Sequence, residues 1–205
     1  LRSLHRGILT TMRCLIRTTF LHAAHASLGV VVVVCLLTTG AWTSVQAEQP
    51  KRTEYEVKAA YLYQFPKFIE WKEDAFSSEE SPLIIAILGE DPFGEVIDKI
   101  VENRLIGRHP VEIKRFPRLS DLSRCHVLFV SRSEHSHIDE VLQTVRSQNI
   151  LTVGDTEDFA EQGGVINFFI DENKVRFEIN LAASREAGLK ISSKLLRVTP
   201  RIVEK

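Results

Sequence analysis

Hydrophobic positions follow two patterns along the chain, and their alternation indicates the fold class. Continuous apolar runs are typical of strands covered on both faces, whereas apolar residues three or four positions apart are typical of amphipathic helices. The continuous runs are PLIIAILG (82–89), CHVLFVS (125–131) and ILTVGD (150–155), a short alternating run is VEIKRF (111–116), and the spaced runs are EYEVKAAYLYQFPKFIEW (54–71), EDPFGEVIDKIVEN (90–103) and SEHSHIDEVLQTVRSQN (133–149). This order predicts an α/β fold with a mixed, mainly parallel sheet flanked by helices on both faces.

Prolines, glycines and capping residues predict where the helices begin and end. Pro66 lacks a backbone donor, so we expect the first helix to kink or break near Phe65. Asp91 is the expected N-cap of the next helix, with Pro92 in its first turn. The closing segment is expected to be helical, with an interruption at Gly188.

The stretch GGVINFFIDENKVRFEIN (163–180) predicts an antiparallel hairpin at the edge of the sheet. A two-residue turn at Glu172-Asn173 keeps apolar and charged side chains on opposite faces, whereas a three-residue turn mixes them. The predicted core pairs are Ile170 with Val175, Phe168 with Phe177 and Ile166 with Ile179, and the pairs on the other face are Asp171 with Lys174, Phe169 with Arg176 and Asn167 with Glu178. We therefore predict the two-residue turn.

Residues 1–47 have the order of a secretory signal peptide, with basic residues first, then an apolar run, then small residues. The apolar run LGVVVVVCLL (28–37) is about half as long as a membrane-spanning helix. The motif VQA predicts cleavage after Ala47, with retention as an N-terminal anchor as the alternative. Because Met12 is the only methionine, a start there would leave residues 1–11 untranslated.

Cleavage would leave residues 48–205 as a single domain of ordinary size. Loss of the four leader arginines leaves 22 basic against 27 acidic residues, a net charge of −5. A mildly acidic domain without a basic tract argues against nucleic-acid binding. Cys125 is its only cysteine, so no internal disulfide is expected, and the thiol is either buried at the start of a strand or paired between chains.

Catalytic and metal-binding signatures are weak in this sequence. It contains no G-x-S-x-G elbow, no phosphate-binding G-x-x-x-x-G-K and no G-x-G-x-x-G after the first strand. His135 and His137 are two positions apart on a predicted helix, where their side chains diverge, so we expect solvated residues there and no metal site. Asp155 follows a buried strand, where α/β folds place ligands, but capping of the next turn by Asp155 or Thr156 is the favoured interpretation.

The mixed face of the hairpin, formed by Asn167, Phe169, Arg176 and Glu178, has two interpretations. A solvated polar row is common on edge strands, where charged residues discourage further pairing. The apolar members Val165 and Phe169, with a cation–π contact from Arg176 to Phe169, would instead suit a protein- or ligand-binding surface.

Several motifs together resemble the YfiR-like family of periplasmic proteins. They are KAAYLYQFPKFIEW, IIAILGEDPFG, CHVLFVS, ILTVGDTEDFAEQGGVINF and VRFEINLAASREAGLKISSKLL. The resemblance covers about residues 55–197. The combination of F-A-x-x-G-G, R-F-E-I-N and G-L-K-I-S-S-x-L-L is specific, although each piece alone is weak. The resemblance implies an α/β domain that forms a homodimer and has a regulatory rather than an enzymatic task. We expect no cofactor.

The resemblance also implies a partner and a partner-binding surface. The expected function is to bind the periplasmic sensor domain of a membrane diguanylate cyclase and repress it, which lowers cyclic-di-GMP and disfavours biofilm. Carried over to this chain, the surface lies within Phe159–Asn180 and Gly188–Leu196, with the candidate residues Phe159, Glu161, Asn167, Phe169, Arg176, Glu178 and Asn180. The alternative is a small-ligand-binding sensor module acting with a histidine kinase or another membrane partner. This chain lacks the disulfide-forming cysteines of the best-known member, so the resemblance does not extend to control by a disulfide.

Overall fold

The structure, a computed structural model, describes residues 53–204. The predicted signal peptide, its cleavage after Ala47 and the first residues of the predicted secreted domain lie outside the described residues. Among the helices that are described, none is both long enough and apolar enough to span a bilayer.

The first helix, α1 (Glu54–Gln64), begins with a capping box and ends where the proline predicts. The Thr53 hydroxyl accepts a hydrogen bond from the backbone N–H of Glu56, whose carboxylate accepts one from the Thr53 N–H. A 3₁₀ turn over Phe65–Phe68 follows. The predicted break near Phe65 is therefore confirmed, and its cause is the missing donor of Pro66.

Eight strands form the main sheet, and most neighbouring strands are parallel. In chain order the strands are β1 (Ile69–Glu70), β2 (Leu83–Leu88), β3 (Leu105–Ile106), β4 (His109–Phe116), β5 (Val127–Val130), β6 (Leu151–Gly154), β7 (Ile166–Asp171), β8 (Lys174–Asn180), β9 (Lys190–Ile191) and β10 (Arg201–Val203). The sheet order is β10-β8-β7-β6-β5-β2-β4-β3, and β1 pairs with β9 in a separate two-stranded sheet. The predicted mixed, mainly parallel sheet is confirmed.

Helices cover both faces of this sheet, as predicted. The other helices are α2 (Glu95–Val101), α3 (Ile138–Val145), α4 (Leu181–Glu186) and α5 (Ser193–Leu196). One core cluster joins α1, α2, α4 and α5 to one face of the sheet. The second cluster joins α3 to the opposite face through the buried side chains of Ile138, Val141 and Val145.

The hairpin β7–β8 has the register that the polarity pattern predicts. All six predicted pairs occur, from Ile166 with Ile179 at the base to Asp171 with Lys174 at the tip. Glu172 and Asn173 form the turn with φ of 47° and 59°, the positive values that a two-residue turn requires. The predicted core row is buried except at its tip, where Ile170 is 47% exposed.

Two local predictions are wrong. The hairpin does not form the sheet edge, because β10 pairs with β8 in parallel and covers its outer side. Asp91 is not the N-cap of α2, which begins later, at Glu95, after Gly94. The Asp91 carboxylate instead accepts hydrogen bonds from the backbone N–H of Phe93 and from Arg115 Nε, both at 2.7 Å, because an aspartate can bond the backbone two residues ahead.

Candidate functional site

The base of the predicted polar row is buried in the structure. Asn167 and Glu178 are 3% and 5% exposed, and the Asn167 amide donates to Glu178 Oε1 at 3.1 Å. Arg201 in β10 donates to Glu178 Oε2 at 3.0 Å, so β10 covers this end of the row. Asn167 and Glu178 therefore form a buried hydrogen-bonded pair within the isolated chain.

Phe159 and Asn180 anchor the turn between β6 and β7. The Phe159 ring fills the space left by the missing side chains of two glycines, since a Cβ on Gly164 would lie 2.1 Å from the ring. The Asn180 amide donates to the Ala160 carbonyl oxygen at 2.7 Å and its Oδ1 accepts from the Ala183 N–H at 2.9 Å. Both residues are buried, and their contacts hold the turn and the start of α4 in place.

Three of the seven candidate residues have side chains at the surface. Glu161 is exposed, and Phe169 and Arg176 are half-buried. The cation–π contact with Phe169 is made by Arg201 and not by Arg176, since the Arg201 guanidinium lies 5.0 Å from the Phe169 ring centroid. Arg176 instead has a buried Nε that donates to no residue between 53 and 204. The partner-binding role of the seven residues stays a prediction.

A buried ionic cluster lies at the carboxyl ends of β5 and β6, and its centre is Asp155. Oδ2 of Asp155 accepts from Lys58 Nζ at 2.7 Å and from the Tyr55 hydroxyl at 3.0 Å, and it lies 3.3 Å from Arg132 Nε. Lys58 also donates to the Glu54 carboxylate. The predicted capping of the next turn by Asp155 or Thr156 is therefore wrong, because the Asp155 carboxylate bonds α1 and the buried Thr156 Oγ1 bonds no residue between 53 and 204.

Burial makes this cluster energetically important. The side chains of Lys58 and Asp155 are 1% and 0% exposed, whereas those of their other partners, Glu54 and Arg132, are 38% and 55% exposed. Each of the two buried charges is therefore compensated mainly by the other. Burial, followed by the charge and hydrogen bond of Asp155, raises the pKa of Tyr55 to about 12. Tyr55 therefore stays a neutral hydrogen-bond donor across the physiological pH range.

The sequence contains a signal for this cluster in the spacing of α1. Lys58, Leu62 and Phe65 have the i, i+4 and i+7 spacing of one helix face, and all three are buried. A lysine within an apolar stripe requires a buried carboxylate as its partner. Asp155, which follows a buried strand, was the available candidate.

Other titratable residues have simple structural roles. His135 and His137 are exposed in the 3₁₀ turn over Arg132–His137. Between residues 53 and 204, no group of three or more His, Cys, Asp or Glu side chains lies close enough together to hold a metal ion. Cys125 is 4% exposed and burial raises its pKa to about 12, so the buried interpretation is confirmed and the thiol stays protonated.

His126 bridges three segments as a neutral imidazole. Its Nδ1 accepts from the backbone N–H of Ile84 at 3.0 Å, so the ring proton lies on Nε2, which donates to the Ala75 carbonyl oxygen at 3.0 Å. Phe76 stacks on the ring with a centroid distance of 4.5 Å. Burial, with smaller effects from the charges of Arg124 and His109, lowers the pKa of His126.

We expect the free energy of unfolding to decrease as the pH is lowered from about 7.5 to 5.5, partly through His126. The unfolded chain takes up a proton near pH 6.5, whereas the folded state resists protonation because the pKa of His126 is lowered. The stabilisation is therefore complete above about pH 6.5 and is lost as the pH falls toward the folded pKa. Urea unfolding at several pH values measures this slope.

Two variants isolate the effect of His126. His126→Gln cannot titrate, so its stability should depend less steeply on pH than that of the wild type. His135→Gln removes an exposed histidine and should keep the wild-type slope. Equal slopes for the wild type and His126→Gln would contradict the expectation.

Comparison with known protein families gives one match over nearly the whole described region. The family model DUF4154, described as YfiR/HmsC-like, matches residues 55–199. None of the curated proteins matches the chain at the significance threshold.

Two solved structures resemble parts of the chain at low identity. A Streptococcus pneumonia ABC domain in complex with L-Trp is 14% identical, with a TM-score of 0.48 over 71% of this chain and 62% of that chain. A conserved domain protein from Vibrio cholerae is 11% identical, with a TM-score of 0.46 over 74% of this chain and 61% of that chain. The chain thus spans about three fifths of the length of these two proteins.

Proposed function

Because the chain belongs to the YfiR/HmsC-like family, we propose that it is a periplasmic, non-enzymatic regulator of a membrane-bound diguanylate cyclase. It binds the periplasmic sensor domain of the cyclase and holds the enzyme inactive, which lowers cyclic-di-GMP. The observation that carries this proposal is the family match over residues 55–199.

Repression of this kind requires different affinities for two states of the sensor domain. The chain must bind the inactive state more tightly than the active state, because equal affinity shifts no equilibrium. A coupling free energy of roughly 1–3 kcal/mol would change the output about 5- to 150-fold. Support for a binding role comes from the exposed Ile170 and the half-buried Phe169 at the end of the hairpin.

Deletion of the gene in the source bacterium tests the proposal. We expect intracellular cyclic-di-GMP to rise by a factor of about 5 or more, and we expect the full chain to restore the low level. A version that begins at residue 48 stays in the cytoplasm in this proposal and should not restore it. An unchanged cyclic-di-GMP level after deletion would contradict the repressor function, and rescue by the leaderless version would contradict the periplasmic location.

A further inference from the structure

The loop between β1 and β2, residues 72–81, is held against the amino end of β5 by two basic side chains. His126, which directly precedes β5, donates from Nε2 to the Ala75 carbonyl oxygen at 3.0 Å. Arg124 Nη2 donates to the same oxygen at 3.0 Å and to the Asp74 carbonyl oxygen at 2.9 Å. These bonds fix the middle of the loop, which we call the clasp loop.

Phe76 of the clasp loop is stacked between two imidazole rings. Its centroid lies 4.5 Å from that of His126 and 3.7 Å from that of His109, with interplanar angles of 15° and 12°. His109 Nδ1 also lies 2.7 Å from the Ser81 carbonyl oxygen, so this nitrogen carries the ring proton and donates. The Trp71 ring meets His126 edge-on at 5.9 Å, which places a tryptophan beside the clasp loop.

The clasp loop lies between two cavities. One cavity, of about 330 Å³, is lined by Trp71 and Phe76 together with apolar side chains of β2 and β3. The other, of about 260 Å³, is lined by Ala75, Cys125 and His126. Because Ala75 and Phe76 are adjacent in the loop and line different cavities, displacement of this part of the loop would join the two cavities.

The two histidines respond differently to a proton. His109 takes it on Nε2 and keeps its hydrogen bond to Ser81. His126 takes it on Nδ1, which accepts from the backbone N–H of Ile84 at 3.0 Å, so two donors would then face each other. His126 is only 5% exposed, so the imidazolium would be buried without an acceptor at Nδ1. A proton on His126 therefore breaks the anchor in the middle of the loop and leaves the anchor at Ser81.

The surrounding charges favour the neutral state of His126 in the closed loop. Burial, together with the charges of Arg124 and His109, lowers the pKa of His126, against the opposing effect of its bond to Ala75. Asp74, whose side chain is exposed, is the carboxylate that lines the same cavity. The other residues that line this cavity are uncharged: Ala75, Cys125, Gln148, Asn149 and Ile150. A solvated imidazole titrates near pH 6.5, so acid favours the released loop increasingly below about that pH.

We propose that His126 is an acid-sensitive anchor whose protonation releases the middle of the clasp loop and opens one cavity from Trp71 to Cys125. The loop stays attached at Ser81, so the release is local. This switch does not depend on the proposed function. In the periplasmic location proposed above, it would respond to the pH of the medium, since outer-membrane porins are water-filled channels.

Acrylamide quenching of Trp71 fluorescence measures the release. Trp71 is the only tryptophan in residues 48–205, and Trp42→Phe removes the other one from the full chain. We expect the quenching constant to rise about twofold or more between about pH 7.5 and 5.0, with a midpoint below about pH 6.5 and an unchanged far-UV circular dichroism spectrum. A constant that does not change with pH, or that rises only as the circular dichroism signal is lost, would overturn the proposal.

His126→Asn assigns the change to this residue. The asparagine Oδ1 can accept from the Ile84 N–H at every pH, so the quenching constant should be independent of pH. His135→Gln removes an exposed histidine and should keep the wild-type transition. If His126→Asn does not fold, His126→Gln, whose amide can donate to Ala75, should give the same pH-independent result. A transition that persists without His126 but disappears in His109→Gln would assign the switch to His109 and contradict the proposal.

Alkylation of Cys125 gives a second measurement at constant pH. At about pH 5.5, N-ethylmaleimide should modify Cys125 of the wild type about fivefold faster or more than Cys125 of His126→Asn, as measured by mass spectrometry of the peptide that contains it. Comparison at one pH removes the effect of pH on the thiolate fraction. Equal rates would show that the cavity stays closed when His126 is protonated, which contradicts the proposal.

Discussion

Replacing Asp155 with alanine should destabilise the fold by about 3–5 kcal/mol, because the buried Lys58 ammonium loses the one carboxylate beside it that is itself fully buried. Glu54 still contacts this ammonium, but its side chain is 38% exposed and compensates less. The Tyr55 hydroxyl and Arg132 would also lose their shared acceptor. Urea unfolding of the purified chain measures the loss.

Two further variants distinguish a broken ion pair from a general packing defect. Lys58→Met/Asp155→Leu removes both charges and fills the space with apolar groups, so it should be more stable than Asp155→Ala. Glu95→Ala breaks an exposed pair with Lys99 and should change stability by no more than about 0.5 kcal/mol. If Asp155→Ala loses no more than Glu95→Ala, the buried cluster does not stabilise the fold.

The hairpin was predictable from the sequence because its pattern has a period of two. A shift of one residue would have moved charged side chains into the core, so polarity alone determined which residues of β7 and β8 face each other. The turn followed from the same constraint, although Glu172 is an unusual residue at a positive φ. Local patterns of this kind are visible before any tertiary contact is known.

The predictions that are wrong concern contacts between segments that are distant in the sequence. β10 lies beyond the closing helices, and its three residues carry no periodic signal that would place them beside β8. This strand buries Glu178 through Arg201, and Arg201 also takes the place beside Phe169 that the cross-strand pattern gave to Arg176. The sequence pattern therefore overestimates the exposure of Asn167 and Glu178.

The same dependence on distant segments explains the missed ionic cluster. Lys58 and Asp155 are separated by 97 positions in the chain. The predicted order of helices and strands does not show how close these two residues lie in the folded chain. Asp155 was compatible with capping because aspartate is favoured at the start of a helical turn. The topology decides between the two roles, since it brings the end of β6 beneath α1 and beside Lys58.

Replacing Phe177 with alanine should cost about 3–5 kcal/mol, because the ring is 3% exposed at the centre of an aromatic cluster. Its centroid lies 5.0 Å from that of Phe65 and 5.5 Å from that of Tyr61, so the cavity would loosen α1 on the sheet. Phe169→Ala removes the same side chain from the opposite, half-buried face and should cost only about 1 kcal/mol. Equal losses for the two variants in urea unfolding would contradict this assignment of the faces.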